Sequence, residues 1–203
     1  MRLFLDAAST DCWTDLAGTG LFSGITTNPL LIQRAGLKTS IETYRTLYDQ
    51  AMKLGYTCIQ LQVFGGDWFQ CAQSIASIGP EVFIKIPANK KGLEVASKLS
   101  LPHQTTLTAV YSVGQVIAAE ALQVAYTAPY YARLRDAIEN ADELFDRMQD
   151  IAFETELLVA SLQSKAQFLD LAARGFSTFA LPEPIARAFF ESTLADKAIA
   201  DFE

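Results

Sequence analysis

The sequence predicts a (β/α)8 barrel, a single domain over residues 1–203. Three observations lead there. Eight short apolar, β-branched runs recur along the chain, and helix-patterned segments lie between them. No low-complexity tract or Pro/Ser linker divides the 203 residues. Each parallel strand pair needs a helical crossover, and the eighth strand can close on the first. Barrels of this kind typically run to roughly 250 residues, so this one is compact with few insertions. An open doubly wound sheet is the alternative fold, but no G-x-G-x-x-G follows the first strand.

The runs RLFLD (2–6) and SGITT (23–27) open the series. SIETYRTLYDQAMKLG, apolar at three- and four-residue spacing and ending at Gly, leads to TCIQLQV (57–63). WFQCAQSIASIG leads to VFIKI (82–86), GLEVASKLS to QTTLTAV (104–110), and SVGQVIAAEAL to QVAYTAP (123–129). DELFDRMQDIAFE and SKAQFLDLAARG precede the last two strands, LLVAS (157–161) and STFAL (177–181).

Half of the residues are hydrophobic, enough for a sizeable core, and the net charge is -7. That charge, with no dense Lys/Arg cluster, argues against nucleic acid or an anionic membrane as partner and favours a small metabolite. Cys12, Cys58 and Cys71 show no metal-type spacing and His103 is the single histidine, so no metal site is expected and His103 reads as a loop residue. MRLFLD is too short and too acidic for a signal peptide, and no apolar run reaches the roughly 20 residues of a membrane span. These features point to a cytoplasmic protein whose cysteines pack the core.

Strand alternation sorts the faces. Ile59, Leu61 and Val63 oppose Gln60 and Gln62; Val82, Ile84 and Ile86 oppose Phe83 and Lys85. The aliphatic face suits the helix layer, which turns the polar face into the barrel. The same rule sends Asp6, Thr26, Asn28, Thr106, Thr108 and Ser161 inward, each at or near a strand's C-terminal end, where barrels keep their active sites.

Lys85 is the unusual member, an amine inside the run VFIKIP. Burial penalises its charged form, and lowering a lysine from about 10.4 to about 7 multiplies the neutral fraction at pH 7 roughly a thousandfold. A neutral amine attacks a ketone or aldehyde to form a Schiff base, with Asp6, or a water held by Gln62 and Thr108, available for proton transfer. The competing explanation is a buried Asp6–Lys85 ion pair that merely ties the first strand to the fourth.

Four stretches together resemble the transaldolase family: FLDAAS (4–9), GITTNPLLI (24–32), VFIKIPANKKGLE (82–94), and LLVASLQS with TFALPEPI near the end. The resemblance covers nearly the whole chain in order and is to the small members, which include the fructose-6-phosphate aldolases. It implies a (β/α)8 barrel without metal or organic cofactor, in which Lys85 forms the Schiff base. Asp6 then matches the acid that handles the C4 hydroxyl proton, Asn28 the asparagine that orients lysine and substrate, and Thr108 the threonine beside the catalytic water. Ser161 matches a position that binds the donor end and Arg133 one that binds the sugar phosphate; Thr26, Thr106 and Ala128 complete the substrate-binding set.

Departures from the family pattern indicate the subclass. Gln62 stands where transaldolases carry glutamate, and Ala128-Pro129-Tyr130 replaces their Ser-Pro-Phe. These three substitutions resemble fructose-6-phosphate aldolase, in which a tyrosine hydroxyl joins glutamine and threonine around the water; a phenol transfers a proton and a phenylalanine does not. The implied activity is a class I aldolase acting on sugar phosphates. The alternatives are a transaldolase of the pentose phosphate pathway, which transfers dihydroxyacetone between sugars, and a non-catalytic sugar-phosphate-binding barrel. Gln163 stands where a second phosphate cation is usual, with Lys165 as a candidate substitute. The chain stops at DKAIADFE, before the long C-terminal helix that clasps neighbours in decameric rings, so a homo-oligomer is expected and the decamer is left open.

Overall fold

A computed structural model describes residues 1–202 as an eight-stranded closed parallel barrel. The strands are β1 (Arg2–Asp6), β2 (Gly24–Thr26), β3 (Cys58–Gln62), β4 (Val82–Pro87), β5 (Thr105–Val110), β6 (Tyr126–Pro129), β7 (Glu156–Val159) and β8 (Thr178–Leu181). Each pairs with the next, and Arg2–Leu5 lies against Thr178–Leu181 to close the ring. The open-sheet alternative is thereby excluded.

Each of the six segments with helical spacing forms a helix: α3 (Ile41–Lys53), α4 (Trp68–Ala76), α5 (Lys90–Lys98), α6 (Val113–Ala121), α8 (Ala141–Ile151) and α9 (Lys165–Ala173). Ser40, Asp67, Asn89, Ser112 and Ser164 cap five of them by accepting backbone N–H groups, so each of these helices starts at a short polar side chain. Further helices are α1 (Thr10–Ala17), α2 (Pro29–Arg34), α7 (Tyr131–Ala137), α10 (Glu183–Arg187) and α11 (Thr193–Phe202). His103 lies in a single 3-10 turn, Pro102–Gln104.

The aliphatic strand face packs outward. Leu5, Ile25, Ile59, Leu61, Ile84, Ile86, Leu107, Val159 and Phe179 are buried in the main core beneath the helices. A separate inner cluster holds Phe4, Cys58, Tyr126, Ala128, Leu158, Ala160 and Ala180. Phe4 and Phe83 meet the Tyr126 ring edge-on at 5.7 and 5.3 Å, which fills the lower barrel with aromatic surface.

The N-terminal end of the barrel is shut by paired polar groups. Arg2 donates to the Tyr126 hydroxyl and the Glu156 carboxylate, each at 2.6 Å, and Thr178 also donates to Glu156. At the other end, α5 sits directly on the tip of β4. A Cβ on Gly92 would fall 1.8 Å from the Pro87 carbonyl oxygen, so only glycine permits that approach.

Candidate active site

The C-terminal mouth collects the polar side chains. Asp6 ends β1 opposite Thr26 in register, and Lys85 lies between Gln62 and Thr106 on the neighbouring strands. The β1 end is held by Trp13, fully buried on α1, whose indole N–H donates to the Ala7 carbonyl at 3.2 Å. Lys85 is 4 % exposed, and its Nζ donates to Thr26 Oγ1 at 2.7 Å. None of the ion pairs among the described residues includes Lys85 or Asp6. A strand-tying Asp6–Lys85 salt bridge is therefore not what holds the lysine; a neutral hydroxyl is.

Burial pushes the Lys85 ammonium below the ordinary lysine range, and the Asp6 carboxylate only partly offsets this. Burial likewise pushes Asp6 above the usual carboxylate range, against the opposing pull of Lys85 and then Arg133. Both shifts favour the neutral forms. On the two strands that flank β4, both polar atoms of the Gln60 amide and the Thr106 hydroxyl are buried without protein partners.

Asn28 begins α2. Its Oδ1 accepts from the Leu30 and Leu31 N–H groups at 3.0 and 3.1 Å, which leaves its two amide N–H donors for the cavity. Tyr130 begins α7, and its hydroxyl lies 3.0 Å from Thr108 Oγ1. The ring is fixed by Tyr111 edge-on at 5.7 Å and by the Arg133 guanidinium 5.0 Å above its centre. Burial raises the Tyr130 phenol while the Thr108 hydrogen bond works against that rise. At neutral pH the phenol is a proton donor.

Two non-glycine residues at this mouth take the left-handed backbone. Ala109, at φ 57°, lies where the β5–β6 register shifts between Thr108 and Val110. Ser161, at φ 60°, follows β7 after the isolated bridge at Ala160. The simple alternation rule fails for Ser161. Leu158 and Ala160 belong to the inner cluster, so a straight strand would turn Ser161 toward the helices; the left-handed turn brings it to the cavity instead.

The cavity, about 100 Å³, is lined by Asp6, Asn28, Lys85, Tyr130, Arg133 and Ser161, together with Ala160 and three residues of α2. Six of the sequence-derived candidates thus meet in one hollow. Thr26 and Thr108 join through their hydrogen bonds to Lys85 and Tyr130. Gln62, Thr106 and Ala128 flank these residues in register but do not line the cavity. The α2 residues Leu30, Leu31 and Arg34 lie outside the strand argument; Leu30 and Leu31 stand four and three residues before Arg34, which makes each its neighbour on the helix surface. Lys165, the candidate substitute cation, does not line the cavity; its Nζ donates to the Ala188 carbonyl at 2.7 Å. Among the described residues no group of three or more metal-ligating side chains occurs.

Comparison with known proteins gives a consistent result. The sequence pattern of the Transaldolase/Fructose-6-phosphate aldolase family matches residues 67–203. A probable transaldolase of Phenylobacterium zucineum is 28 % identical over 210 residues, covering 100 % of this chain and 94 % of the relative. One from Rhodospirillum centenum is 29 % identical over 213 residues (100 % and 89 %), and one from Dehalococcoides mccartyi 28 % over 211 residues (100 % and 96 %). Among solved structures, thiamine phosphate pyrophosphorylase from Pyrococcus furiosus superposes with a TM-score of 0.66 over 91 % of this chain and 87 % of its own. At 12 % identity that likeness concerns the barrel fold alone.

Proposed function

The chain belongs to the transaldolase/fructose-6-phosphate aldolase family and is an enzyme of that family, and from that premise we propose that it is a class I aldolase of the fructose-6-phosphate aldolase type. The observation that carries this reading is Lys85, a buried amine with lowered proton affinity, bonded to a hydroxyl and to no carboxylate. The free amine attacks the C2 carbonyl of a ketose phosphate, and loss of water gives an iminium. Asp6 removes the C4 hydroxyl proton, the C3–C4 bond breaks, and its electron pair moves into the iminium to give an enamine as the aldehyde departs. The Tyr130–Thr108 pair supplies the proton that returns the enamine to an iminium, which water, positioned with Gln62, hydrolyses to free dihydroxyacetone. Asn28, Thr26 and Ser161 hold substrate hydroxyls, and Arg133 faces the anionic end.

A second reading, transfer of the dihydroxyacetone unit to another aldose phosphate, is favoured by the relatives, which are named as probable transaldolases. Borohydride trapping with dihydroxyacetone, read by mass spectrometry, tests the common step. We expect an adduct in the wild type and none in Lys85→Met; no adduct in either would leave only a non-catalytic sugar-phosphate-binding barrel. Product analysis from fructose 6-phosphate, with and without erythrose 4-phosphate, separates the two activities. Free dihydroxyacetone should dominate, and Tyr130→Phe should shift the balance toward transfer. Dominant transfer in the wild type would reverse the order of the two readings.

We further take the enzyme to act in the cytoplasm as a homo-oligomer. Helix α11 buries none of its side chains and exposes Leu194, Ile199 and Phe202, apolar surface suited to another copy. No helix among the described residues is long and apolar enough to cross a membrane.

A further inference from the structure

We propose that Arg34, the last residue of α2, supplies the second cation of the anion subsite, so that the distal phosphate of the substrate is held between Arg34 and Arg133. The assignment rests on the ketose phosphate reading above, and it places the second charge on a different element from the β7 loop where the sequence led one to look.

Arg34 and Arg133 reach the same cavity from α2 and α7, together with Lys85 and Asp6. Neither has a carboxylate partner among the described residues; Arg45 and Arg135 are likewise outside the ion pairs, but they do not line this cavity. In a chain with 23 acidic and 16 basic residues, two unpaired guanidiniums around one small cavity leave a local positive field. Arg133 is oriented by its stacking on Tyr130. Arg34 also lines an adjoining cleft of about 380 Å³, which shares Asp6 and Leu31 with the cavity and continues along Ala7, Ala8 and Ser9 to Glu183, whose carboxylate is already paired with Arg187. It therefore stands where the cavity widens, the place for the end of a substrate whose carbonyl is at Lys85.

The plain alternative is a basic residue at a helix C-terminus interacting with the helix dipole. That explains the residue type but not why the side chain lines both hollows. Leu30 and Leu31 share the face that carries Arg34 toward the cavity, and Leu30 remains 45 % exposed there, an apolar rim for the substrate's carbon chain. The β7 loop offers no cation of its own, since Gln163 is uncharged and Lys165 is tied to Ala188. A guanidinium pair matches a phosphate dianion with several charge-assisted hydrogen bonds.

The test is discrimination between fructose 6-phosphate and fructose. Arg34→Gln should lower the ratio of their kcat/KM values by about tenfold or more through the KM for the phosphorylated sugar, with kcat changed less than about threefold. Arg34→Lys should recover part of the loss. A ratio within about twofold of wild type in Arg34→Gln overturns the assignment. Calorimetry of fructose 6-phosphate binding to Lys85→Met, with and without Arg34→Gln, reads the subsite without turnover, and about tenfold weaker binding in the double variant is expected. Equal binding overturns the role of Arg34 even where trapping supports the aldolase. Weakened binding without any Lys85 adduct in the otherwise wild-type protein overturns the aldolase and keeps Arg34 as an anion ligand.

Discussion

The two ends of the barrel treat their polar groups in opposite ways. At the N-terminal end, Arg2, Tyr126, Glu156 and Thr178 satisfy one another, and the backbone there is regular. At the C-terminal end, Lys85 is bonded only to Thr26, Gln60 and Thr106 hold unpartnered polar atoms, and Ala109 and Ser161 sit in the left-handed region. The closed end is organised for the fold. The open end keeps hydrogen-bonding capacity and strain that a fold alone would remove, the usual mark of a functional site.

The sharpest way to break this contrast is to make the open end apolar. Lys85→Met should lower catalytic turnover by about 10³-fold or more if the proposed mechanism holds, because no other lysine lines the cavity to carry a covalent step. The double variant Lys85→Met/Asp6→Asn should also be more stable than wild type by about 1 to 4 kcal/mol in chemical denaturation, since it removes two poorly compensated buried groups together. A loss of stability would show that the pair serves the fold.

Next comes the pH dependence of borohydride trapping. The folded-state proton affinity of Lys85 is lowered by burial, so the neutral amine appears at a pH below the ordinary lysine range and trapping should rise through that lower window. Within the window the unfolded chain binds more protons than the folded one, so this group's contribution makes folding more favourable as pH rises. Asp6 is the one charge holding the ammonium up; Asp6→Asn should move the trapping profile to still lower pH. An upward move would contradict the part assigned to the Asp6 charge.

Smaller effects are expected where charge is paired or strain is local. Arg2 and Glu156 retain 47 % and 34 % side-chain exposure. Solvent screening therefore limits their pair, and Arg2→Met/Glu156→Gln should cost no more than about 1 kcal/mol, with kcat unchanged. A tenfold loss of kcat in that variant would mean that the closed end also tunes the site. Smallest of all, Ala109→Gly should gain roughly 0.5 kcal/mol in urea denaturation, the relief of left-handed strain less the added freedom of the unfolded chain. A loss of stability there would place Ala109 under no strain.

Much of this was legible in the sequence because period and composition carry it. The alternation of Ile59, Leu61, Ile84 and Ile86 with Gln60, Gln62 and Lys85 set the strand faces, and Lys85 stood out as an amine in an aliphatic run. Ser161 lines the cavity by a left-handed turn rather than by strand alternation, and φ 60° is not encoded by any period. Gln62, Thr106 and Ala128 were placed on the right strands, but whether they reach the hollow depends on barrel shear and side-chain length. Arg34 escaped because a six-residue helix gives too little pattern to show which way it faces.

The glycine contact at the tip of β4 has a practical meaning for anyone who would reshape this enzyme. Gly92 lets α5 rest on the carbonyl of Pro87, two residues beyond Lys85 on the same strand, so a larger residue there would push against the end of β4. Variation meant to reshape the cavity is therefore better placed at Leu30, Leu31 and Arg34 on its rim than at position 92, where any side chain would displace the end of the strand that carries Lys85.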